Sequence, residues 1–108
     1  MLSAKRKGER LIVYLSGEID HCAADKLRQE IEARIAETKT GELCFDFSSV
    51  SFMDSSGVGM IIGRYKTMQA LGGRVTACGL HPPVDRLFHL AGLHRIIDIA
   101  PSGRHEEA

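Results

Sequence analysis

Apolar residues change their spacing several times along this chain, and each change marks an element. RLIVYLSG, residues 10–17, is a run of branched and aromatic side chains closed by Gly17 and predicts a strand. A shorter strand is expected at Leu2–Arg6, with Gly8 in the turn between the two. From Cys22 to Ala36 the spacing lengthens. Ala24, Leu27, Ile31 and Ile35 recur at three and four residues among Asp25, Lys26, Arg28, Glu30, Glu32 and Arg34, which predicts an amphipathic helix with Asp20 as a cap near its start. ELCFDF, residues 42–47, is nearly continuously apolar and predicts a strand buried on both faces. Helical spacing returns from Ser55 to Leu71 and stops at Gly72 and Gly73; its stripe of Val58, Ile61, Ile62 and Tyr65 is expected to cover the sheet and leave Ser55 exposed. RVTACGL, residues 74–80, is another strand. Pro82 and Pro83 open a short helix carrying Val84, Leu87, Phe88 and Leu90, and Ile96–Ile99 forms the last strand.

Strands alternating with helices imply parallel neighbours, because a parallel pair needs a crossover and a helix supplies it. The fold class expected is therefore α/β, a mainly parallel central sheet of four or five strands flanked by helices. Residues 1–108 read as one domain ending in a short polar tail at about 101–108, SGRHEEA. In such a sheet the strand-to-helix turns gather at one edge. GEID, residues 17–20, and MDSSG, residues 53–57, are two of those turns.

Charge narrows the partners. Fourteen basic and fourteen acidic residues cancel, which leaves no long-range field to gather nucleic acid or an anionic membrane. The apolar run Leu11–Leu15 is too short for a leader, nothing later would span a bilayer, and a cytoplasmic location is expected. Cys22, Cys44 and Cys78 are odd in number and widely spaced, so they read as reduced, mostly buried thiols rather than as disulfides or zinc ligands. No cofactor or metal site is expected.

The pair Ser55 and Ser56 stands where an apolar strand stops. A nucleophile elbow centred on Ser55 would need a glycine where Met53 stands. No lysine accompanies Gly57, Gly59 and Gly63 as a phosphate loop requires, and GVGMIIG misses the dinucleotide spacing by one residue. Gly59 and Gly63 are expected instead to let the helix approach the sheet or its neighbour closely. Two roles stay open for the serines. One is a helix cap. The other is a phosphoryl acceptor, its added charge favoured by the helix N-terminus and its neighbours Asp54, Glu18 and Asp20 making a phosphate costly for any partner that must desolvate this edge.

SFMDSSGVGMIIGRYK, preceded by LCFDF and GEID and followed by GGRVTACGL, PPVDRLF and AGLHRII, resembles the anti-sigma factor antagonist family of the STAS superfamily, and its sporulation members most. The resemblance covers about nine tenths of the chain. It implies a regulatory protein that is not an enzyme, monomeric when free. Its unphosphorylated form binds an anti-sigma factor that is also a serine kinase, holding its own ATP and magnesium, and so frees the sigma factor. Phosphorylation switches the protein off and a serine phosphatase restores it. Carried over by position, the phosphorylated serine falls on Ser55; Asp54, Ser56 and Gly57 complete that motif; Glu18 and Asp20 match the acidic loop beside it; Arg64 would point toward the partner. The family's C-terminal helix is expected to be short or absent here. A second function class is a STAS scaffold or a module that senses a nucleotide or other small molecule.

Overall fold

The structure is a computed structural model and describes residues 2–100, so the expected tail at 101–108 lies outside the described residues. Strands β1 (Leu2–Lys7) and β2 (Arg10–Ile19) precede helix α1 (His21–Thr38). Strand β3 (Glu42–Met53), helix α2 (Ser55–Ala70) and strand β4 (Arg74–Cys78) follow. Helix α3 (Pro82–Leu90), a 3₁₀ turn (Leu93–Arg95) and strand β5 (Asp98–Ile99) complete the described residues. The five strands lie in sequence order. β1 runs antiparallel to β2 and every other pair is parallel, the arrangement expected from the strand and helix alternation.

Alternation along the strands divides the sheet into two faces. Leu11, Val13 and Leu15 of β2, Leu43, Phe45 and Phe47 of β3, and Val75 and Ala77 of β4 form one buried cluster with residues from all three helices. Phe47 closes its α3 end by meeting Phe88 edge-on, the ring centroids 5.5 Å apart. On the other face Ile12, Cys44 and Cys78 make a smaller cluster with Tyr14 and Ala100 packed on it. Residues 43–47 are thus buried on both faces, as their composition predicts. None of the three cysteines is in a disulfide; Cys44 and Cys78 are buried and Cys22 is exposed.

Two expectations change. The last strand is two residues rather than four, because Gly92, at φ 78°, turns the chain into the 3₁₀ turn and Ile97 goes into the core. The stripe of α2 is broader than Val58, Ile61, Ile62 and Tyr65. Val58, Ile61 and Met68 are buried, Ile62 and Tyr65 only partly, and a further side, Met60 and Arg64, is buried as well.

Candidate functional site

The ends of β2 and β3 run side by side, with Glu18 opposite Phe52 and Ile19 opposite Met53. The Asp54 N–H donates to the Ile19 carbonyl at 3.3 Å and ties the β3–α2 turn to the β2–α1 turn. Gly17 takes φ 83° and the register shifts between it and Glu18, a bulge that ends the regular ladder at this edge. Glu18, Asp20 and Ser55 are all exposed there, and Asp54 and Ser56 are half-buried.

Each helix starting at this edge is capped by an aspartate. Asp20 Oδ1 accepts from the Ala23 N–H at 3.0 Å at the start of α1. Asp54 Oδ1 accepts from the Ser56 N–H at 2.9 Å at the start of α2, and the Asp54 carbonyl accepts from Gly57 N–H at 3.0 Å. An N-cap side chain satisfies donors that have no partner inside the helix. Asp54 fills that role, so Ser55, the first residue of α2, is free of it. Its hydroxyl stands exposed at a positive helix end with three carboxylates on the same edge.

Gly57 and Arg64 are buried rather than exposed. At Gly57 a Cβ would overlap Met53 Cγ, lie 2.8 Å from Met53 Sδ and stand 3.1 Å from Ile19 Cγ2. This glycine lets the first turn of α2 sit on the ends of β2 and β3. Arg64 is nine positions beyond Ser55, roughly 13 Å along the helix axis, and its side chain is 9% exposed. Instead of pointing outward to a partner it turns toward α1, where Glu32 Oε2 lies 2.6 Å from its Nε. Thr67 Oγ1 donates to the same carboxylate oxygen at 2.7 Å, so Glu32 joins the two helices at two points.

Sequence reading missed an apolar shelf beside the edge. Phe52 is 47% exposed and Leu90 79% exposed. Between them a cavity of about 470 Å³ is lined by Met53, Pro82, Pro83, Arg86 and Leu87 as well. The signal was the spacing in α3: Val84 and Phe88 make the buried row, which leaves Leu87 and Leu90 to one side of it. Among the described residues, no helix is long and apolar enough to cross a membrane.

Comparison with known proteins agrees with this architecture. The STAS domain family matches residues 1–106, and the chain belongs to that family. An anti-sigma F factor antagonist of Paenibacillus polymyxa is 40% identical over 89 residues, 82% of this chain and 76% of the relative. An anti-sigma-B factor antagonist of Bacillus subtilis is 31% identical over 99 residues, 92% of this chain and 89% of the relative. Among solved structures, the anti-sigma factor antagonist SpoIIAA in its unphosphorylated form superposes with a TM-score of 0.81 at 31% identity, covering 93% of this chain and 88% of that one. SpoIIAA of Bacillus in the phosphorylated form gives 0.76 at 28% identity, covering 99% and 97%.

Proposed function

We propose that this protein is an anti-sigma factor antagonist: a binding protein that sequesters an anti-sigma factor when unmodified and releases it when Ser55 carries a phosphate. The observation that carries this reading is the capping of α2 by Asp54, which leaves Ser55 exposed and without a structural duty. The names of its relatives and the two states of its structural neighbour support the same role.

The physics of the switch is local. A phosphate adds about 1.5 to 2 negative charges at neutral pH. On the free protein the α2 N-terminus offsets part of this, by roughly 0.3–1 kcal/mol at an exposed site, so the fold tolerates the modification. A partner that covers the edge must desolvate that phosphate together with Glu18, Asp20 and Asp54, and affinity falls unless it brings several cations. The partner is an anti-sigma factor of the serine-kinase type with its nucleotide bound, and a serine phosphatase reverses the modification. Isothermal titration with such an anti-sigma factor tests the reading. Unmodified protein and Ser55→Ala should bind alike, and phosphorylated protein should bind at least about tenfold more weakly. Equal binding by the phosphorylated form would refute it.

A further inference from the structure

Two surfaces stand outside the Ser55 switch. In the groove between α1 and α2 a Cβ on Gly59 or Gly63 would meet no atom within 4 Å, so neither glycine is there for close packing, contrary to the expectation from sequence. The arginines of that groove are taken, Arg64 by Glu32 and Arg28 by Asp25. The other surface is the apolar shelf between Phe52 and Leu90, and its side chains are not taken. Pro82, Pro83 and Leu90 are exposed and Leu87 is half-buried. Arg86 is exposed among them, with no ion-pair partner among the described residues.

The shelf is continuous with the acidic edge. Phe52 stands opposite Glu18 across the β2–β3 ladder, and Met53, which lines the cavity, is followed directly by Asp54 and Ser55. What the two halves offer a partner differs. The edge presents the carboxylates of Glu18, Asp20 and Asp54 and the hydroxyl of Ser55. Stable protein–protein interfaces have an apolar core inside a polar rim, and a few buried anchors carry most of their energy. The edge alone supplies a rim without a core. The shelf supplies the core, in a cavity of about 470 Å³ that admits a large apolar side chain. It also changes the sign of the charge, from the carboxylates of the edge to the guanidinium of Arg86. A second copy of the chain fits this surface poorly, because a two-fold pairing sets one patch against itself, Arg86 and the acidic edge included.

Resting on the reading of the protein as an anti-sigma factor antagonist, we propose that the shelf is the half of the docking surface that does not sense the phosphate. A large apolar side chain of the anti-sigma factor enters between Phe52 and Leu90, and an acidic residue beside it pairs with Arg86. The edge reads the state of Ser55. The shelf holds the partner through contacts that phosphoryl transfer leaves unaltered, because phosphorylation changes no group on it.

Leu90→Ser and Arg86→Glu test this against a serine-kinase anti-sigma factor. Both side chains are exposed, so both variants should melt within a few degrees of the native protein. In calorimetric titrations with ADP present, which prevents phosphoryl transfer, Leu90→Ser should bind about tenfold more weakly and Arg86→Glu severalfold more weakly. With magnesium ATP, KM for phosphorylation of Ser55 should rise by similar factors while kcat stays unchanged, the signature of a contact made equally before and during the transfer. Native affinity in both variants, or a fall in kcat at unchanged KM, would overturn the proposal. So would sedimentation showing self-association of the native protein that Leu90→Ser abolishes, which would make a second copy the occupant. If the variants bind like the native protein while phosphorylation still weakens binding, this proposal alone falls. If the native protein binds no such anti-sigma factor, the reading beneath it falls as well.

Discussion

Gly57 and Gly63 lie on one helix, fewer than two turns apart, and stand there for opposite reasons. At Gly57 a side chain would collide with Met53 and crowd Ile19, whereas at Gly63 it would reach into open space. The first turn of α2 is pressed onto the strand ends, so that Ser55 is held at a fixed place. The third turn stands away from α1 and leaves a groove. A glycine read from sequence signals a missing side chain, and only the surroundings say whether space is filled or kept empty.

The largest effect should come from breaking that contrast. Gly57→Val is expected to cost about 2–3 kcal/mol through overpacking, lowering the melting temperature by roughly 10–20 °C. Gly63→Ala is expected to gain about 0.5–1 kcal/mol, raising it by a few degrees. Calorimetric scans of both variants check the pair, and shifts of the same sign would contradict the contrast.

The seam between the helices comes next. Arg64→Met and Glu32→Gln should show a coupling of about 1 kcal/mol in a double-mutant cycle followed by urea unfolding, reduced from that of a fully buried pair because the Glu32 side chain is 36% exposed. A coupling of zero would mean that the ion pair does not hold α1 to α2.

A smaller effect sharpens the edge itself. Asp54→Ala should cost about 1 kcal/mol as a lost cap, while Ser55→Ala should stay within about 0.5 kcal/mol of the native protein. Equal losses would make Ser55 part of the cap and remove the structural basis of the switch. Smallest of all, Glu18→Lys should leave stability within about 0.5 kcal/mol and still weaken partner binding, since Glu18 is exposed and Asp20 does the capping of α1. Asp20→Lys would confuse the two effects.

Much of this was legible in the order of residues. The strand and helix periods follow from burial, and the meeting of GEID with MDSSG follows from parallel strands that end at one edge. The exposure of Ser55 was legible too, because the apolar positions of α2 begin after it. The choice between cap and free hydroxyl was not, since an aspartate and two serines can all cap, and only the Asp54 to Ser56 hydrogen bond decides it. Arg64 was misplaced for a physical reason. A charged residue is expected to face water, yet Met60, Arg64 and Met68 share one side of the helix at intervals of four, and Glu32 waits on α1 to match the charge. The exposed shelf of Phe52 and Leu90 escaped notice because apolar residues in a short helix read as core.

The most direct test of the account is the site of modification. Native protein, Ser55→Ala and Ser56→Ala, each incubated with a serine-kinase anti-sigma factor and magnesium ATP, should be compared by intact mass and peptide mapping. One phosphate is expected on Ser55 in the native protein and in Ser56→Ala, and none in Ser55→Ala. Phosphate on Ser56, or none on either serine, would contradict it.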